Sequence, residues 1–442
     1  MPDLPSLPWS SLRQTLHIAW DVPGFYEAVR REHADAAITR IAPVGPSLMV
    51  WGADLVREVF AMPPHAFLGG RGNEVLRPVV GDRSMIVADG APHQRQRRLV
   101  MPAFLPARLE GYTGAIREVV GDAMPLLGVG APRPAMGFAR HVAIEVILRT
   151  VFGLAERDAE TRALGVRIGA YAEVANEWPL LVPFVRRFEG RGTPWGRVLA
   201  RKRDADAALG SVLARRRSTS PREDARDVLS ALLAARDEDG SALDDLELRD
   251  ALVSLLVAGH ETTATALAWL FDFLAHDDDA RAVAVREARD APLVGPWPFL
   301  EACVKEALRL RPVLPNVRRH LVAPARIGGY EVPAGYSVGV CAYLTHTDPR
   351  YWHDPHVFAP RRWLAEAAKV AHGTYYPFGG GARRCIGYAF AVHELTVILA
   401  ATLAHREPRS FLGRPARIER RGIAIAPERD ATLAFTRARG AA

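Results

Sequence analysis

One stretch near the C-terminus constrains this chain more than any other: Phe378-Gly379-Gly380-Gly381-Ala382-Arg383-Arg384-Cys385-Ile386-Gly387. It carries the spacing F-x-x-G-x-R-x-C-x-G. The glycines let the backbone turn tightly and approach a flat macrocycle without a clashing Cβ, so that amide N–H groups can point at the sulfur. Hydrogen bonds and a nearby cation favour thiolate over thiol, the form that ligates iron. Five fixed positions at roughly one in twenty each arise by chance in about one chain of this size in ten thousand. The segment therefore reads as a loop that presents Cys385 to a haem iron, and whatever fold surrounds it must hold a planar group against that loop.

Two further motifs point the same way. Glu306-Ala307-Leu308-Arg309 sets a carboxylate and a guanidinium three residues apart, on one helical face, where they can pair. Ala258-Gly259-His260-Glu261-Thr262-Thr263 interrupts a long apolar helical pattern with polar residues. Gly259 lets a flat ligand or dioxygen lie close to the backbone. Thr262 can bond a preceding carbonyl while offering a hydroxyl to dioxygen, and Glu261 can relay protons from solvent. A zinc-protease reading of His260-Glu261 is excluded, because the second histidine it needs is Ala264.

With these motifs the sequence resembles the cytochrome P-450 superfamily of haem-thiolate monooxygenases, from about Ala36 to the end of the chain. The superfamily also has alanine six residues after the cysteine, as at Ala391. The resemblance implies a mainly α fold with small β-sheets, the haem lying between the long central helix and the cysteine loop. It implies heme b with Cys385 as the axial ligand and metal-binding residue, and cofactor contacts at Phe378, Gly387 and Ala258. His93 and Arg97, Arg383, and Arg319 would meet the haem propionates, with Arg318 as an alternative to Arg319. Pro360-Arg361-Arg362-Trp363 resembles the P-E-R-F segment, so Arg362 would join Glu306 and Arg309 in a buried structural triad. Arg361 stands where glutamate is usual, and the outer part of that network is expected to differ.

Catalysis would rest on Thr262 and Glu261. The substrate pocket would be lined by the loop 67–87, the stretch 165–183, Ala258, Thr263, Asn316, Val317, Ile423 and Ala424. These are mainly apolar, which favours a lipophilic small molecule, terpenoid or steroid-like before fatty acid. No G-x-G-x-x-G follows a strand, so electrons are expected from a separate ferredoxin or flavodoxin with its NAD(P)H reductase. Arg95, Arg98, Arg108, Arg362 and Arg384 are candidates for an acidic partner's docking face. A peroxide-dependent peroxygenase and a haem-thiolate gas sensor are the alternatives. The acid–alcohol pair argues against the first, and no output or DNA-binding motif supports the second.

Composition bounds the rest. Hydrophobic residues are 49% and charged residues 24% of the 442, as in a globular protein with ample core. No uninterrupted apolar run approaches the roughly 18 to 20 residues of a membrane span, and the N-terminus lacks the order of a secretory signal. The protein is read as cytoplasmic, without a membrane anchor. Cys303, Cys341 and Cys385 include no C-x-x-C pair, which excludes a disulfide framework and a four-cysteine metal site. The net charge of +7 comes almost wholly from arginine, and clusters such as 215–217 read as a solvated helix face. No nucleic-acid module is visible.

Along the chain, 1–35 is read as an N-terminal segment and 36–442 as one catalytic domain. Short strands are expected at 38–41 and 47–51, with a helix from Asp54. Helices follow at 93–100, 108–126, 139–152, 158–176, 197–216 and 224–236, with a turn at 219–224. A long helix over 244–276 and another over 298–310 come next. Strands are expected at 326–332, 336–342 and within 415–437, and a last long helix follows the cysteine loop to about Leu403.

Overall fold

The helix Asp245–Ala275 is the element around which the others are arranged. Asp244 caps it: its carboxylate accepts from the Glu247 amide at 2.8 Å, and the Glu247 carboxylate accepts from the Asp244 amide at 3.0 Å. Two otherwise open donors of the chain's entry are thereby satisfied reciprocally. From Leu248 onward apolar residues occupy most of its circumference, as suits a helix packed on every side. The helices Ala135–Thr150, Pro298–Leu310 and Tyr388–Leu403 all pack against it. By length and composition this central helix is apolar enough to cross a membrane, but 72% of the qualifying stretch is buried inside the protein. Here its apolarity serves the core.

The architecture comes from a computed structural model that describes residues 3–42, 44–154, 159–176, 183–190, 192–218, 227–291, 293–364 and 370–438. The expected turn at 219–224 lies outside the described residues, as does 177–182 of the expected pocket stretch. Most helix expectations hold within a few residues, at Gly90–Val100, Thr113–Ala123, Ala159–Ala172, Pro194–Ser218 and Val228–Ala234.

A five-stranded sheet has the spatial order Ala36–Ile41, Gly45–Val50, Ser337–Cys341, Asn316–Leu321, Phe67–Leu68. Gly45–Val50 and Ser337–Cys341 run parallel, and the other neighbours are antiparallel. The strand expected at 326–332 is in fact a small hairpin, Ala325–Ile327 and Tyr330–Val332. Gly328 and Gly329 take φ of +57° and +85° between them and reverse the chain. Near the C-terminus Ile418–Arg421 pairs with Ala424–Pro427, and Thr432–Arg437 joins Arg406–Ser410 and Arg133–Pro134.

The helices Ser11–Trp20 and Val22–Glu32 were not foreseen. The prolines around them suggest irregular chain, yet Pro23 sits in the first turn of the second helix, where its missing N–H costs nothing. Ile18, Phe25 and Val29 pack with Trp51, Tyr343 and Ile425 in one core cluster.

Candidate active site

The cysteine loop is folded by its own backbone and walled by the helix Ala53–Ala61. The Cys385 amide donates to the Phe378 carbonyl at 3.0 Å, Gly379 N to Tyr376 O at 2.9 Å, and Arg384 N to Gly381 O at 3.0 Å. Gly381 adopts φ +63°, and a Cβ there would lie 2.2 Å from the Phe60 carbonyl; one on Gly380 would lie 2.5 Å from the Phe60 ring. Both glycines are therefore required by close approach.

The Cys385 side chain has open surface, yet protein surrounds it closely enough that burial raises its thiol above the ordinary range. The Gly387 amide and the charges of Arg97 and Arg384 pull the other way, towards thiolate. The residue is thus closely surrounded yet keeps accessible surface. Ala258 has the same character, being exposed in the middle of a buried helix. Four residues on, and so on the same face, Thr262 Oγ1 donates to the Ala258 carbonyl at 2.5 Å.

Basic groups converge beside the cysteine loop. Burial and the charges of Arg383 and Arg97 push the His93 imidazole down to about 4. Burial and Arg383 push Arg319 down to about 10, and burial and Arg97 lower Arg383. Among the described residues, Asp89 is the carboxylate paired into this group, on Arg383. Arg97, Arg319 and Arg383, gathered in a half-buried site beside one carboxylate, suit a dianion such as the two propionates of a haem. Arg319 is also engaged within the protein. It donates to the Val59 carbonyl and, at 2.8 Å, to the Gly380 carbonyl, with its guanidinium over Phe67. Arg318, on the opposite face of the same strand, lies instead among Tyr26, Arg420 and Cys341.

Glu306 and Arg309 are wholly buried and paired through two bonds, at 2.9 and 2.8 Å. Arg362 Nε, the Ala359 amide and Trp363 Nε1 also donate to Glu306, at 2.9, 3.0 and 2.9 Å. Arg309 in turn donates to the carbonyls of His346, Pro355 and Val357. His346 Nε2 accepts from the Tyr376 amide at 2.9 Å, and Tyr375 OH donates to the Lys305 carbonyl at 3.1 Å. The network thus reaches the residues from which the cysteine loop departs. Arg361 has left it, lying at the surface with its guanidinium 5.9 Å from the Phe299 ring centre.

Several residues differ from expectation. Glu261 is no free carboxylate: Arg140 holds it through two bonds of 3.0 Å. Thr263 turns away from the Ala258 face, and its hydroxyl donates to Glu394 Oε2 at 3.2 Å. One residue is a rotation of about 100° on a helix, so adjacent threonines face different neighbours. Ala424 is packed into the main core. Ile423 is exposed, while Asn316, Val317 and Phe378 are half-buried. Of the arginines proposed for docking, Arg95 is paired to Glu247 and Asp237, Arg98 to Asp237, and Arg362 to Glu306. Arg108 and Arg384 remain exposed. Neither Arg140 nor Glu394 was foreseen. Each belongs to an apolar helical pattern in which a charge has no local signal.

An enclosed cysteine on a glycine loop, with cations gathered beside it in excess of carboxylates, is what a haem-thiolate protein presents. The family profile described as cytochrome P-450 matches residues 38–429. Cytochrome P-450 137 of Mycobacterium tuberculosis is 33% identical over 399 residues, covering 90% of this chain and 82% of that protein. Cytochrome P-450 135A1 of the same organism is 35% identical over 381 residues, covering 85% and 82%. The fold is shared with the retinoic acid-bound cyanobacterial CYP120A1, at a TM-score of 0.81 and 23% identity over 99% of this chain and 100% of that one. CYP102L1 gives 0.81 and 24% over the same shares. The chain belongs to the cytochrome P-450 family, and it is a P-450 monooxygenase whose cofactor is heme b. Members of the family use dioxygen and draw electrons from redox partners.

Proposed function

We propose that this enzyme inserts one oxygen atom into a C–H bond of a lipophilic small molecule, terpenoid or steroid-like before fatty acid. Cys385 holds the heme b iron, and electrons come from a separate ferredoxin or flavodoxin served by an NAD(P)H reductase. Residues 36–442 act as one catalytic domain after an N-terminal segment, in the cytoplasm. The observations that support the reading are Cys385 on its glycine loop with cations beside it, and the Ala258–Thr262 stretch, where accessible surface and a hydroxyl interrupt a buried helix.

When bound, the haem supplies the dioxygen and one-electron chemistry. The reaction balances as R–H, dioxygen, two electrons and two protons giving R–OH and water. The protein's part is binding, orientation and protons. Arg97, Arg383 and Arg319 offer positive charge to the propionates, His93, kept neutral, offers a ring N–H, and Phe378 and Gly387 shape the loop. The Gly387 amide and Arg97 favour the thiolate form of Cys385. Thr262 Oγ1, parked on the Ala258 carbonyl, is placed to hand its proton into the space beside that helix face and recover one from the Glu261 side. Losing that delivery diverts the same two electrons and two protons into hydrogen peroxide. Ala258, Val317 and Ile423 supply apolar surface for the substrate, with Asn316 as a polar contact.

The test is the absorption spectrum of the dithionite-reduced protein under carbon monoxide, alongside Cys385→Ser. A band at about 450 nm, lost in the variant, is expected. A wild-type band at about 420 nm in well-preserved protein, or no difference between the two, would overturn the ligand assignment.

A further inference from the structure

The environment of Glu261 does not suit a carboxylate that simply stands ready to carry protons. Arg140 on the helix Ala135–Thr150 grips both of its oxygens. A second guanidinium faces it from the C-terminal hairpin: Arg421 Nη1 lies 3.6 Å from Glu261 Oε1. That Nη1 is buried and has no hydrogen-bond partner, while Nη2 of the same side chain donates to Asp430 at 2.6 Å. A buried, unpaired charged donor is costly to keep, and a short movement of the carboxylate would satisfy it.

The segment that holds Asp430 is strained. Arg429, Asp430 and Ala431 take φ of +49°, +55° and +49° in succession, and none is glycine. Such conformations persist where the surroundings over-determine them, and they gather at functional sites. Here the Ala431 carbonyl accepts from the Ala135 amide at 3.0 Å, which ties the strained turn to the start of the helix carrying Arg140. The turn that holds Asp430, Arg421's partner, and the helix that carries Arg140 are thereby joined on the side of Glu261. Glu173 and His260 are the other titratable groups near this cluster.

We propose that Arg140 and Arg421 are alternative partners for the Glu261 carboxylate, and that its transfer from the first to the second opens the path by which it exchanges a proton with solvent. On Arg140 the carboxylate is locked, both oxygens occupied. Turned towards Arg421 it keeps one charged partner and frees an oxygen on the side where Arg421 and Asp430 reach partial exposure, 24% and 36%. Arg140, Arg421 and Asp430 are positioning residues, none of which touches the reacting atoms. The inference rests on the reading of Glu261 as a proton carrier.

The test uses the haem-loaded enzyme with a turnover substrate and compares Arg421→Gln, Arg140→Lys and Glu261→Gln. Arg421→Gln is expected to lower product formed per NAD(P)H by at least about threefold, with peroxide rising to match and a larger solvent isotope effect on turnover. Its carbon monoxide spectrum should be unchanged. Arg140→Lys retains charge but only one donor direction, and should change coupling less. Hydrogen–deuterium exchange gives a readout independent of turnover: Glu261→Gln should quicken exchange across residues 418–431. Unchanged coupling in Arg421→Gln, while Glu261→Gln uncouples, refutes the two-partner arrangement and leaves the carrier reading standing. Unchanged coupling in Glu261→Gln refutes the carrier reading itself, and unchanged exchange at 418–431 refutes the tie between the hairpin and Glu261.

Discussion

Replacing Glu306 with glutamine tests whether the buried triad braces the cysteine loop. The carboxylate accepts from five donors. Arg309 Nη2, Arg362 Nε and the Ala359 amide reach Oε1, and Arg309 Nε and Trp363 Nε1 reach Oε2. Glutamine supplies one oxygen and one NH2, so whichever way it sits at least two donors face another donor. The negative charge opposite Arg309, a side chain with no solvent exposure, disappears as well. Breaking a buried pair in this way costs about 3–5 kcal/mol, against a typical domain stability of about 5–15 kcal/mol. That is a loss of roughly two to nearly four powers of ten in the folded-to-unfolded ratio. Because Arg309 also holds the carbonyls of His346, Pro355 and Val357, and His346 holds the Tyr376 amide, the damage is directed at the cysteine loop. Denaturant unfolding followed at the carbon monoxide band is the assay. Glu306→Gln should lose haem and the 450 nm form (about 450 nm by the resemblance) well before global helicity is lost. A midpoint within about 1 kcal/mol of wild type, with the band intact, would show that the triad does not brace the loop.

Thr262→Ala should leave NAD(P)H consumption running while product falls severalfold and peroxide rises; unchanged product per NAD(P)H would remove Thr262 from proton delivery. Gly381→Ala forces a Cβ to within 2.2 Å of the Phe60 carbonyl at φ +63°, and should shift the loop and convert the carbon monoxide band towards its inactive position; a normal spectrum would contradict the close approach. Arg97→Ala removes a cation that lies near Cys385 and His93, and should speed haem transfer to an acceptor globin severalfold. Glu394 gives a pH prediction. Burial raises its carboxyl from 4.5 to about 8, so the unfolded chain releases this proton first. Its contribution to stability is whole below about 4.5 and is lost as pH rises through about 8, at about 1.4 kcal/mol per pH unit between them. Glu394→Gln should flatten that part of the stability profile, and an unaltered slope would mean the group is not buried neutral.

What the sequence made legible follows from where the relevant physics is local. The cysteine loop declares itself because close approach to the Phe60 ring and carbonyl admits only glycine at Gly380 and Gly381, and Glu306 with Arg309 because a helical i, i+3 pair is a local fact. Trp363 was visible as part of a motif, but its role as a donor to Glu306 depends on how two distant segments meet. The N-terminal helices were hidden by their prolines, and the hairpin at 325–332 by glycines that read as part of a strand. Partners supplied by remote elements outside any motif left no trace. Arg140 lies 121 residues before Glu261, and Glu394 lies 131 after Thr263.

That contrast explains how the central helix can carry polar residues through the core. Each position from 260 to 263 is turned by about 100° from the last, so successive side chains point in different directions. His260 is buried beside Arg140, Glu261 is gripped by it, Thr262 bonds back to Ala258, and Thr263 reaches Glu394. A buried polar group without a partner costs about 1–3 kcal/mol; Glu261 and Thr263 find partners on other helices and Thr262 on its own, while Nδ1 of His260 is buried without one. Thr262 alone is satisfied within its own helix, by a carbonyl it can release without disturbing another element. It is therefore the residue of the four whose hydroxyl can change partners cheaply, while moving Glu261 means opening an ion pair that spans two helices.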